Sequence, residues 1–117
     1  MCLFKTHRLP KISRKPIQCY KVFNVVKHKK FKLSTAVYGY LCNIDDTIKS
    51  KYYWVWGIFK RELEGEVVHA YRSKTNANRY CWVGQCVCLC EIPPFTPYWY
   101  GKDGEIGASK IKIIKML

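Results

Sequence analysis

The sequence predicts an α+β fold: a small single domain on a five- or six-stranded, mainly antiparallel or mixed sheet, with one or two short helices. Short runs rich in β-branched and aromatic residues recur along the chain, separated by turn residues. One segment, KTNANRYCW, follows a serine suited to cap a helix. The chain has 117 residues, 49% hydrophobic and 15% aromatic, which is one domain with enough apolar mass for a packed core.

Residues 1–17 read as a basic N-terminal arm, interrupted by Pro10 and Pro16 and lined by Lys5, Arg8, Lys11, Arg14 and Lys15, ahead of a globular domain from 18 to 117. QCYKVFNVV at 18–26 is the first strand, and VKHKKFK at 26–32 is a dense basic patch. TAVYGYLC at 35–42 is a second strand with a bulge at Gly39. NIDDTIKS at 43–50 is a loop. KYYWVWGIF at 51–59 is a strand with Tyr52, Trp54 and Trp56 on one face and Tyr53 and Val55 on the other. VVHAY at 67–71 is a short strand, and Ser73 caps a helix over 74–82. QCVCLCEI at 85–92 is apolar on both sides, which predicts a central strand covered twice. The following EIPPFTPYWYGKDGEIGASKI turns at Pro93–Pro94, crosses the surface through PYWY and re-enters the sheet near Ser109. ASKIKIIKM then closes the chain as a half-exposed strand, with Lys110 and Lys112 alternating against Ile111 and Ile113.

Twenty-one Lys and Arg against eight Asp and Glu leave a formal net charge of +13. Such an excess attracts polyanions and speeds their encounter. Few acids also leave little for a paired-carboxylate hydrolase. No P-loop, GxGxxG, HExxH or GxSxG motif is present. No apolar run is long enough for a membrane span, and no apolar h-region marks a leader. The seven cysteines are therefore expected to be reduced thiols in a cytoplasmic protein.

Cys86, Cys88 and Cys90 follow a CxCxC spacing on a strand, not the CxxC knuckle that brings two thiolates to one ion. Their expected role is in the core, and no metal or cofactor is expected. His69 is a candidate base or nucleotide contact, set against a histidine that only satisfies a neighbouring carbonyl. Nucleic-acid or nucleotide binding needs cations for phosphate and aromatic planes for bases. Lys27, Lys29, Lys30 and Lys32 would supply the first, and Trp54, Trp56 and Trp99 the second. Aromatics also build the cores of small sheet domains, and most of these are expected there.

The chain resembles a family of short proteins encoded by gut anaerobic bacteria and their phages. An MCL start and basic arm lead into CYKV at Cys19 to Val22, and a G-F-H-S-Y-like element is carried by Gly65, His69, Ala70 and Tyr71, with Ala77 on the helix. The end resembles C-x-I-P-x-G-T-x-Y-Y-x-G-x-x-G-x-I-A-S-x-x-I, matched at Cys90, Ile92, Pro93, Thr96, Tyr98, Gly101, Gly104, Ile106 and Ile111. Pro94–Phe95 replaces the x-Gly of that pattern. The resemblance implies a phage or mobile-element protein, hence the cytosol of a host cell. The expected function is a non-enzymatic module that binds an anionic partner: nucleic acid, a nucleotide signal or an acidic host protein, in host takeover or counter-defence. The I-P-x-G-T ending is also similar to the last strands of ADP-ribosyltransferase-like folds, which implies an NAD-using enzyme as the alternative. Lys21 stands where such an enzyme would carry Arg, and Glu105 is its late acid.

Overall fold

The structure, a computed structural model, describes residues 11–36, 39–49, 53–56, 61–64, 67–101 and 103–117; for 53–56 and 61–64 it describes the backbone path. The strands are β1 (Lys11–Ile12), β2 (Ile17–Val25), β3 (Leu33–Thr35), β4 (Leu41–Cys42), β5 (Thr47–Lys49), β6 (Tyr53–Trp56), β7 (Arg61–Glu64), β8 (Val68–Tyr71), β9 (Gln85–Ile92), β10 (Pro97–Tyr100), β11 (Glu105–Ala108) and β12 (Lys110–Met116). The single helix among the described residues is α1 (Lys74–Arg79). The expected α+β class is corrected: the molecule is nearly all β, with a 10-stranded sheet and a separate β6–β7 ribbon. Among the described residues every strand pair is antiparallel.

The undercount of strands has a physical cause. Pieces of two to four residues are too short to show a period, and tertiary pairing creates them. The stretch read as one strand at 35–42 is a hairpin: Gly39 takes φ 68, and Thr35 N–H donates to Tyr40 O at 2.9 Å. The expected loop at 43–50 contains β5, paired with β12. PYWY does not cross the surface; it is β10, between β1 and β11.

The sheet runs β1-β10-β11-β8-β2-β9-β12-β5. β2 and β9 form its spine, paired in register from Ile17↔Ile92 to Asn24↔Gln85. One face is lined by Cys19, Phe23, Cys88, Cys90, Ile106, Ile111 and Ile113, all but sealed from solvent. The other is covered in part by α1, whose Ala77 packs with Val22, Tyr71 and Val87. Ser73 caps α1, its hydroxyl accepting from the Asn76 N–H at 3.2 Å. Apolar side chains on both sides of β9 thus find cover on both sides, which explains its unbroken apolar run.

Ser13 ties the start of the described chain to the Pro93–Pro94 turn. Its hydroxyl donates to Pro93 O at 2.6 Å and accepts from the Thr96 N–H at 2.9 Å. Its backbone exchanges hydrogen bonds with Phe95 and Thr96.

The two edges of β2 differ, and this asymmetry shapes the surface. β9 follows one edge along its length, while two strands share the other. β8 pairs there only at Tyr20↔Tyr71, and β3 takes over from Phe23 to Val25. Between them the ladder is open at Lys21 and Val22.

Candidate nucleic-acid interface

The basic patch forms the β2–β3 hairpin tip. Val26 N–H donates to Lys32 O at 3.0 Å and closes the loop. Asn43 braces it from outside: its amide donates to Lys30 O at 2.7 Å, and its Oδ1 accepts from the Lys32 N–H at 2.9 Å. Inside the tip, Lys30 N–H donates to His28 Nδ1 at 3.0 Å, and the His28 and Phe31 rings lie 5.3 Å apart. The backbone is therefore held while Lys27, Lys29, Lys30 and Lys32 all stay exposed. Four flexible ammoniums on a braced loop suit the positioning of phosphates, which need charge more than shape.

Beside this hairpin stands a turn from Trp82 to Gln85, closed by Gln85 N–H to Trp82 O at 3.0 Å. Gly84 takes φ 82, the left-handed conformation that favours glycine, and its carbonyl accepts from the Val25 N–H at 2.9 Å. That bond places the turn one residue from the base of the basic loop. The Gln85 side chain locks the join, accepting from the Trp82 N–H at 3.0 Å and donating to Asn24 Oδ1 at 2.9 Å. The indole of Trp82 is left 76% exposed, and Val83 is fully exposed. Tyr80, also exposed, stacks on Tyr71 with ring centroids 5.1 Å apart and planes within 5°.

Behind these rings the open ladder makes a cleft of about 170 Å³. Tyr71, Tyr80, Trp82 and Gln85 wall it, with Val22 and His69 behind them. Lys21 and Ala36 line it at the fork. Lys21 belongs to the opposite, core face of β2, between Cys19 and Phe23, and its ammonium reaches into the fork to donate to His69 O at 2.8 Å. It supplies the donor that the missing β2–β8 rung would have given. It also lies 5.8 Å from the centroid of the Phe23 ring.

Burial dominates the electrostatics here. Lys21 is only 7% exposed, and loss of water lowers its pKa to about 8. His69 is half-buried; burial, and then the Lys21 charge, lower its pKa to about 3, so its ring is neutral at physiological pH. The thiols shift the other way. Burial raises Cys19 to about 12 and Cys42 to about 11, and pushes Cys88 and Cys90 higher still.

The four lysines form one surface and His69 lines the neighbouring cleft. Trp54 and Trp56 lie on β6, opposite Leu63 and Arg61 of β7, and their side chains fall outside the described residues. Trp99 is corrected: it is 4% exposed on β10, so it presents no stacking surface. Its cross-strand partner is Gly107, which has no side chain to compete for that space. Its neighbour Tyr100 is exposed instead, with the Arg72 guanidinium 4.5 Å and the Lys11 ammonium 5.1 Å from its ring centroid.

Sequence reasoning missed Trp82 and Tyr80, which it placed inside a longer helix. The helix ends at Arg79. The available signal was Trp-Val-Gly between a helix and a strand, where exposed apolar residues on a glycine turn have no core to join.

Other chemistries have weaker footing. By register, Glu105, Tyr71 and Tyr20 form one row across β11, β8 and β2, so Glu105 shares the face opposite to Lys21. The Lys21 and Glu105 side chains therefore leave their strands toward opposite faces, although the Lys21 ammonium comes back through the fork to His69 O. The Cys86 and Cys88 sulfurs approach to 3.9 Å, nearer than parallel side chains on a flat strand would be. Among the described residues no three His, Cys, Asp or Glu side chains converge as metal ligands. No helix there is long and apolar enough to cross a membrane.

No family model matches the chain, and searches of curated proteins and of solved structures found no match. The functional reading rests on the residues and their geometry.

Proposed function

We propose that the protein is a small non-enzymatic module that binds single-stranded nucleic acid. The observation that carries this reading is the bond from Val25 N–H to Gly84 O, which sets the exposed Trp82 beside the Lys27–Lys32 loop. A single strand offers phosphates at one edge and unpaired base planes at the other, and this surface offers a counterpart to each. The net charge of +13 would speed the encounter. In the phage setting implied by the C-terminal resemblance, such a module would act in host takeover or counter-defence by covering exposed strands in the host cytosol.

The test is a salt titration with a fluorescent single-stranded oligonucleotide. If Lys27, Lys29, Lys30 and Lys32 each neutralise a phosphate, log K should fall against log salt with a slope of about −3. Replacing all four by Gln should flatten that slope, and Trp82→Ala should weaken binding by about 1–3 kcal/mol while leaving the slope unchanged. Salt-independent binding, or no binding at low salt, would refute the reading. Tight binding of an acidic protein with no oligonucleotide affinity would instead favour a protein partner.

A further inference from the structure

We propose that the cleft at the strand fork takes one pyrimidine base, its ring against the Tyr80–Trp82 wall and a ring carbonyl oxygen accepting from the Lys21 ammonium. The inference rests on the nucleic-acid reading and adds which base is taken and where.

The cleft holds about 170 Å³. A cavity of about 150 Å³ accommodates benzene. One six-membered ring with its substituents matches that space.

The Lys21 ammonium has three N–H groups and is 7% exposed. Among the described residues its one hydrogen-bond acceptor is His69 O, at 2.8 Å, and no carboxylate pairs with it. A buried ammonium with open donors calls for an oxygen acceptor from outside the fold. Ammonium groups donate and never accept, so the complementary edge must present a carbonyl oxygen. Thymine, uracil and cytosine each have one beside a single ring; adenine has none.

The Gln85 amide is anchored at both ends, its oxygen by the Trp82 N–H and its nitrogen by Asn24, so its orientation at the cleft is set by the fold. His69 is uncharged, and among the described residues Lys21 is the one cation that lines the cleft. The phosphates belong outside, on the lysine loop that the turn adjoins.

The test uses the full chain at low salt and labelled dodecamers of oligo-dT, oligo-dC and oligo-dA in fluorescence anisotropy. The expected result is that dT and dC bind about tenfold tighter than dA. Lys21→Met keeps the stem and removes the donor; it should erase this preference and leave dA binding as it was. Ala36→Leu fills the cleft without touching a charge and should do the same, so the outcome does not depend on the Lys21 variant folding. Unlabelled thymidine, which has no phosphate, should compete at the cleft, and adenosine should not. Equal affinity for dT and dA in the unaltered protein, or a preference that survives both substitutions, overturns the pyrimidine site and leaves the strand-binding surface standing. Failure of every dodecamer to bind overturns both.

Discussion

Phe95 shows how one position can carry strain on behalf of a turn. It sits at φ 60, in the left-handed region, and its ring is 78% exposed. Glycine reaches that conformation without a Cβ penalty. The bonds from Ser13 to Phe95 and Thr96 hold the turn regardless. Phe95→Gly should therefore raise stability by roughly 1 kcal/mol, as read by urea unfolding; a loss of stability would show that the ring has contacts that outweigh the strain. His69 makes a second residue-level case. Its folded pKa of about 3 lies below its ordinary 6.5, so the unfolded chain binds the extra proton first. Its contribution is complete above pH 6.5 and is lost as pH falls toward 3. Thermal melts should show acid destabilisation in that window, and His69→Gln should reduce it. Identical pH profiles would mean that folding leaves the His69 pKa where it is in the unfolded chain.

At the scale of elements, the hairpin tip and the turn beside it are useful because their backbones are fixed. A loop carrying Lys27, Lys29, Lys30 and Lys32 repels itself, and nothing in its own sequence predicts order. Asn43, eleven residues beyond Lys32, supplies it through two hydrogen bonds between its side-chain amide and the loop backbone. Asn43→Ala should cost about 1 kcal/mol in chemical denaturation. It should also weaken oligonucleotide binding while preserving the salt slope, since the charges remain and only their placement loosens. A changed slope would mean that Asn43 alters how many phosphates are met. The strand elements give the complementary lesson. β9 was legible from its sequence to the residue, because eight residues that are apolar on both faces fit little else than a covered central strand. β1, β3, β4 and β5 were not, since pieces of two or three residues carry no period of their own and exist through their partners.

For the whole molecule, the core is an oxidant-sensitive kind of packing held in an inert state. Cys19, Cys88 and Cys90 are fully buried, and burial raises their thiols well above the ordinary range, so the reactive thiolate is scarce. In the native protein these three should resist alkylation at neutral pH and react once denaturant is added, while half-exposed Cys81 is modified before them; peptide mass mapping reads the order, and native labelling of Cys88 or Cys90 would contradict it. The residues by themselves determined the sheet-forming character, the central β9, the capped helix start at Ser73, the excess of positive charge and the concentration of lysine at 27–32, because each depends on local chemistry or on a count. The tertiary structure decided the rest. It divided one edge of β2 between β8 and β3, drew Lys21 into the gap, buried Trp99 and left Trp82 outside. These outcomes depend on which strands meet, and strand partners are chosen by contacts far apart in the chain, which no local pattern of residues records.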